Sequence, residues 1–341
     1  MSGPGPSGLP PTPGPLRKWW LGARPRTLPA ALVPVAVGTA AAHARHIAHF
    51  PYASATLSYG DFPSTPRVNA WWCAFGALIV ALAIQIGTNY ANDYSDGIRG
   101  TDDARVGPVR LTATRLASPA AVKRAAFLAF GLAAVVGLGL AWATSWWILL
   151  VGAACLLAGW FYTGGPHPYG YAGLGEVFVF VFFGLVATAG TFYVQTLKLD
   201  VWQVWVAAVM VGLLATALLL ANNLRDIATD VEGGKRTMVV RVGRRAGGRF
   251  YLACVGLPFA GVALWGVLAV ACSITTVWPV LLFLPLLAIP LAVPPVRLAL
   301  SDAEGRALLP VLAATGRLQL AFGALLAVAL WCTLPPGALL G

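Results

Sequence analysis

The sequence predicts an all-α polytopic membrane protein, a bundle of nine transmembrane helices built as two parallel four-helix repeats plus one helix. Three observations predict it. The 341 residues are 58% apolar and 10% charged, with a mean hydropathy of +0.76, whereas about 25% of residues are charged in an average soluble domain. Nine apolar stretches recur along the chain, most of them near the about 17 to 25 residues that cross a bilayer core. Basic residues fall in alternate connections: Arg17, Lys18, Arg24 and Arg26 precede the first stretch, six follow the second, seven the sixth and three the eighth. Only Arg45, Arg67 and Lys198 remain for the other side, so the positive-inside rule predicts a cytoplasmic N-terminus and an odd number of crossings in the plasma membrane.

Taken in order, positions 1–16 are rich in Pro, Gly and Ser and read as a disordered tail, with 17–341 forming one transmembrane domain. The first stretch, 28–43, has the basic flank and small residues of a signal peptide, but its prolines and the eight further spans favour a retained helix. A long outward connection over 43–68 leads to the second stretch, 70–88, and then to an acidic loop over 89–124. Stretches 125–143 and 146–163 follow, and a Gly/Pro-rich connection leads to 175–193 and 203–221. A second acidic loop over 222–249 precedes 250–270, 277–293 and 318–334. The first and eighth stretches are short and carry prolines, so their boundaries are the least sharply marked. The five cysteines lie in or beside apolar stretches without CxxC or Cys/His spacing, which excludes a zinc framework or a disulfide scaffold. The side preference of the basic residues accounts for the net charge of +11 without nucleic acid.

Seven of the twelve acidic residues occupy the two inward loops: Asp93, Asp96, Asp102 and Asp103 in one, Asp226, Asp230 and Glu232 in the other. Asn92 and Asp96 are four apart, as are Asn222, Asp226 and Asp230, so continued helices would present each set on one face. They stand at helix C-termini, where the macrodipole disfavours negative charge by about 0.3 to 1 kcal/mol each; helix stability does not explain them, and a bound cation would. The segments starting at Asn92 and Asn222 align at a constant offset with four spans between them, which is the pattern of a parallel repeat facing one cavity. Ligands that are oxygen only suit Mg²⁺ or Mn²⁺. Arg99, Arg105, Arg110, Arg225, Lys235, Arg236 and Arg241 in the same loops are cations able to hold phosphate. Carboxylates and cations beside a lipid cavity point to a lipid diphosphate. A secondary transporter also uses repeats, but places its polar residues near the bilayer midplane, while here they sit at span ends; a soluble metal-dependent phosphatase is excluded by the apolar spans.

The segments NDYSDGIRGTDDARVGPVR, from Asn92, and NNLRDIATDVEGGKRTMVVRVG, from Asn222, resemble the two aspartate-rich motifs of the UbiA prenyltransferase superfamily. Gly100, Asp102 and the run Gly107 to Arg110, with Lys235, Thr237 and Val239 to Gly243, are similar to the branch that prenylates 1,4-dihydroxy-2-naphthoate in menaquinone biosynthesis. Arg24 to Gly38 and Tyr162 to Gln195 are similar to the same branch. The Pro-rich tail, the 43–68 connection and the C-terminal third depart from it. The resemblance implies Mg²⁺-dependent transfer from a polyprenyl diphosphate to the naphthoate, with loss of CO₂ and diphosphate; 4-hydroxybenzoate, homogentisate or a phosphosugar are the rival acceptors within the superfamily. It implies one metal at Asn92, Asp96 and Asp102 assisted by Asp93, and a second at Asn222, Asp226 and Asp230. Lys235, Arg110, Arg225 and Arg241 would face the diphosphate. Tyr162, Tyr169 and Tyr171 would stabilise an allylic cation by about 0.5 to 2 kcal/mol, or serve only as an interfacial belt. Glu176 would orient or deprotonate the acceptor hydroxyl or pair with an Arg, and His167 is a candidate base or a structural loop residue.

Overall fold

A computed structural model describes residues 13–56, 70–101, 109–272 and 278–333. Helices account for the regular structure among the described residues: α1 (Pro15–Gly22), α2 (Pro29–Thr56), α3 (Ala70–Ile98), α4 (Pro119–Ala143), α5 (Ile148–Phe161), α6 (Gly175–Val179), α7 (Ala187–Thr196), α8 (Trp202–Arg225), α9 (Ile227–Glu232), α10 (Met238–Val242), α11 (Arg244–Cys272), α12 (Ile289–Leu300) and α13 (Leu309–Thr333). A π-helical segment, Phe180–Val186, joins α6 to α7 into one continuous rod. Each of the nine apolar stretches coincides with helix, because a backbone in lipid must satisfy its own N–H and C=O groups.

The count of nine spans is not reached. Among the described residues seven helices are long and apolar enough to cross a membrane, or eight if the pair Pro15–Thr27 and Pro29–Ala44, bent by 58°, forms one span. The fourth stretch becomes α5, only 14 residues long, about 21 Å at the α-helical rise per residue. Prolines shape both stretches with unclear boundaries. The first bends just before Pro29, and the eighth starts as a 3₁₀ run, Trp278–Ala288, before α12, since proline removes an i→i−4 hydrogen bond. Of the expected tail, residues 1–12 lie outside the described residues, and Pro15 and Leu16 already belong to α1.

The core centres on α8, which packs against α11, the π-helical segment, α13 and α2. The crossing with the π-helical segment depends on two glycines: a Cβ on Gly184 would lie 2.4 Å from the Gly212 Cα, so only small residues let these backbones approach. A second layer pairs α3 with α4, with Tyr90, Ala91, Val122, Ala126 and Phe130 buried between them. Neither acidic segment is a loop at its start. Helix α3 runs through Asn92, Asp93 and Asp96, and Asn222 lies in the last turn of α8, with Asp226 at the break before α9. The segments at the C-terminal ends of α3 and α8 meet, with Asp96 of α3 paired to Lys235 beyond α9.

Candidate active site

The two motifs converge on a cavity of about 480 Å³ whose wall includes Asn92, Asp96, Arg110, Asn222, Asp230 and Lys235 at one end. From there it runs between α3, α5 and the α6–α7 rod past Val80, Ile84, Leu156, Phe178, Phe182 and Phe183. One end is therefore polar and charged and the body is apolar.

Asp96 is the hub of the polar end. It is 2% exposed, accepts a hydrogen bond from the Tyr171 hydroxyl at 2.6 Å, and pairs with Lys235 Nζ at 3.1 Å and with Arg110 at 3.5 Å. One motif's carboxylate is thus neutralised by the other motif's lysine. Lys235 also lies 4.8 Å over the Tyr171 ring, a cation–π contact. Burial, then the charge of Asp96, raises the Tyr171 pKa above its ordinary value, so the phenol keeps its proton and stays a donor. Burial raises that of Tyr169 in the same way.

Asn92 accepts from the Thr163 hydroxyl at 2.7 Å. Arg99, expected among the phosphate-binding cations, instead donates to the carbonyls of Thr163 and Gly165 and stacks 5.5 Å from the Tyr171 ring. Its task is to dock the 162–174 connection onto α3. On the second motif Arg225 grips Asp226 with two hydrogen bonds of 2.7 Å, and Arg241 is exposed, donating to the Arg236 carbonyl. Arg225, Arg241 and Asp226 do not appear in the cavity wall, whereas Arg110, Lys235 and Asp230 do.

Asp93 occupies a different place from its neighbour. Its side chain is fully buried, and its two oxygens accept the backbone N–H groups of Leu111 and Thr112 at 2.7 and 2.9 Å. It clamps the returning chain onto the end of α3, where a Cβ on Gly97 would lie 2.4 Å from Thr112. Both acceptor oxygens expected to assist a metal are taken by amides. Asp93→Ala would strand two buried donors, and we expect a loss of about 2 to 5 kcal/mol of stability, read as a lower melting temperature of the detergent-solubilised protein, with Asp93→Asn intermediate.

Glu176 is buried and accepts from Asn223 at 2.8 Å. Asn223 lines the cavity and Glu176 stands behind it, so Glu176 acts by positioning that amide. Tyr162 lines the cavity and meets Tyr169 edge to face, with centroids 5.5 Å apart. His167 is exposed in the connecting loop. Asp102, Asp103 and Arg105 lie outside the described residues.

A polar stripe that the motif reading passed over runs down α3. Gln85 and Asn89 donate to the Thr27 hydroxyl at 2.9 and 3.1 Å, and Thr88 lines the cavity beside them. Arg24 also lines it, held in a left-handed conformation with φ 54°. One Arg24 terminal nitrogen and the Thr88 hydroxyl are buried without hydrogen-bond partners among the described residues. The signal was present in the spacing: Gln85, Asn89, Asn92 and Asp96 recur every three or four residues along α3, with Thr88 next to Asn89.

Candidate metal ligands at the polar end are the amide oxygens of Asn92 and Asn222 and the carboxylates of Asp96 and Asp230. An oxygen-only set fits Mg²⁺, which takes about one or two protein carboxylates and fills its octahedron with water and substrate phosphate oxygens.

Fold and site together define a helical membrane protein built around a cavity that is charged at one end and apolar along its body. The UbiA prenyltransferase family matches residues 31–304, and the chain belongs to that family. It is 46% identical over 322 residues to the 1,4-dihydroxy-2-naphthoate octaprenyltransferase of Mycobacterium tuberculosis, covering 94% of this chain and 96% of that one. It is 34% identical to the Escherichia coli protein of the same name, over 87% of this chain and 89% of that one. Among solved structures it shares the fold of a UbiA homologue from Archaeoglobus fulgidus bound to DMAPP and Mg²⁺, with a TM-score of 0.54 at 14% identity over 91% of this chain and 99% of that one.

Proposed function

We propose that this protein transfers a polyprenyl group from an allylic polyprenyl diphosphate to 1,4-dihydroxy-2-naphthoate, releasing diphosphate and CO₂ and giving demethylmenaquinol, the quinol form of demethylmenaquinone. The observation that carries the reading is the meeting of the two aspartate-rich motifs at the polar end of an apolar cavity. The resemblance to naphthoate octaprenyltransferases along nearly the full length of both chains supports the choice of acceptor.

Asn92 and Asp96, with Asp102, would hold one Mg²⁺, and Asn222 and Asp230, with Asp226, another. When bound, the ions neutralise charge that builds on the departing diphosphate. Lys235 and Arg110 face the same anion and are already oriented by Asp96, so little reorganisation is needed as its charge develops. The allylic C–O bond breaks toward them. The apolar walls keep water from the resulting carbocation, and the Tyr162 and Tyr171 rings at the cavity head offer it π faces. The ring carbon bearing the carboxylate forms the new C–C bond, and the carboxylate departs as CO₂, returning its electron pair to the ring, so no external base is required for this step. Arg24 and Thr88, with their unmatched buried donors, would receive the acceptor's carboxylate, and Asn223, held by Glu176, would orient a ring hydroxyl.

We place the N-terminus and both motifs on the cytoplasmic side of the plasma membrane on the distribution of Lys and Arg, and count α5 as a ninth, short span. The test is transfer by purified protein in detergent, with the naphthoate, radiolabelled polyprenyl diphosphate and Mg²⁺. Product that EDTA abolishes is expected. Arg24→Ala should lower kcat/KM for the naphthoate about 10- to 100-fold, the worth of a hydrogen bond to a charged group, while the KM for the diphosphate stays within about twofold. Metal-dependent product with 4-hydroxybenzoate but not with the naphthoate would overturn the acceptor.

A further inference from the structure

The apolar body of the cavity has a far end as distinctive as its polar one. Along α3 its wall extends from Asp96 back to Ala77, about 28 Å at the α-helical rise per residue. There a small cluster separate from the main core borders it: Cys73, Leu140 and Val194 are buried, with Ala77, Val80, Ile148 and Tyr193 packed on them. Beside this floor the Trp147 indole N–H donates to the Tyr193 hydroxyl at 2.8 Å, and the rings meet edge to face with centroids 5.0 Å apart. Trp147 and Tyr193 both line the cavity.

The pair joins two walls that are otherwise anchored elsewhere. Trp147 caps the start of α5, which packs on α3 and α4, and Tyr193 belongs to α7, which packs on α2, α3 and α8. Trp147 is 44% exposed although it lines the cavity. A chain passing between the two rings would leave the cavity at its far end.

We propose that the Trp147–Tyr193 pair is a chain-length gate: prenyl chains that end before the Leu140–Val194 floor bind with the pair closed, and longer chains bind only by parting it. This rests on the prenyl-transfer reading above. A short chain makes no demand on the pair. A long one must break its hydrogen bond and separate its rings, so the gate lowers the relative affinity for long chains and leaves the head-group chemistry untouched.

The experiment compares geranyl, geranylgeranyl and octaprenyl diphosphates as donors for the full-length protein in detergent, in the parent, Tyr193→Phe and Trp147→Ala. Tyr193→Phe removes the hydrogen bond and keeps the ring, so the fold is retained. The ratio of kcat/KM for octaprenyl over geranyl diphosphate should rise about three- to tenfold, the factor corresponding to one net hydrogen bond. It should rise further in Trp147→Ala, while kcat/KM for geranyl diphosphate stays within about twofold of the parent. An unchanged ratio in both variants overturns the proposal, as does a parallel fall for every donor, which would mark the pair as structural. Displacement of radiolabelled geranylgeranyl diphosphate by the other two, in Mg²⁺ without acceptor, reads the same ratio from binding. If the parent transfers nothing to any acceptor, the functional reading fails, while the displacement ratio still decides the gate.

Discussion

Asp96→Asn is expected to lower kcat about 10³-fold, the scale of losing a preorganised electrostatic partner of the transition state, with the melting temperature of the solubilised protein close to the parent's. The amide has the carboxylate's shape and retains an oxygen to accept from Tyr171, which now donates at 2.6 Å. What disappears is the negative charge that holds Lys235 and Arg110 and would serve the metal. Those two cations then face the diphosphate without the Asp96 charge beside them, so its KM should fall or stay level while kcat collapses. Kinetics at saturating Mg²⁺ separate the two terms. Activity within about tenfold of the parent would remove Asp96 from the reaction. Contrast with Asp93→Ala is instructive: three residues earlier on α3 the same kind of side chain serves backbone amides, and its loss should appear in stability.

Lys235→Met should lower kcat about 10²- to 10³-fold. The methionine preserves most of the apolar stem and deletes the ammonium, which lies 3.1 Å from Asp96 and 4.8 Å from the Tyr171 ring centroid. Two consequences add together: the departing diphosphate loses a cation, and Asp96, still bonded to Tyr171, loses the nearer of its two cation partners and keeps Arg110 at 3.5 Å. Lys235→Arg should recover only part of the activity, because a planar fork does not reproduce a compact point charge over an aromatic face. Steady-state kinetics of the three proteins test this, and full activity in Lys235→Met would show that the ion pair merely links the motifs.

Much of the architecture was legible because lipid imposes a simple code. Every apolar stretch is helical, and the two proline-bearing ones with blurred edges are the ones that bend or tighten into a 3₁₀ run. The motifs were legible because carboxylates at the C-terminal ends of greasy helices oppose both the dipole and lipid, and so demand a purpose. The individual roles were harder to read. Nothing in the letters separates Asp93 from Asp96, since they are three apart and differ by about 300° around a helix turning about 100° per residue; the path of the chain after Ile98 decides which one meets backbone amides. Arg99 looks as suitable for phosphate as Arg110, yet the loop carrying Thr163 and Gly165 claims it.

Composition, hydropathy and the spacing of Asn and Asp were enough to specify a helical membrane protein with polar residues gathered at helix ends, because each reflects a local cost that any fold of this chain must meet. The pairing of Asp96 with Lys235, the stationing of Glu176 behind Asn223, the inward turn of Arg24 and the Trp147–Tyr193 closure were decided only by tertiary structure. Each joins residues between 46 and 139 positions apart, or aims a side chain into a cavity that exists only once the helices have packed. The physical reason is that hydropathy acts on each segment alone, while a hydrogen bond or an ion pair requires two segments to arrive at the same place.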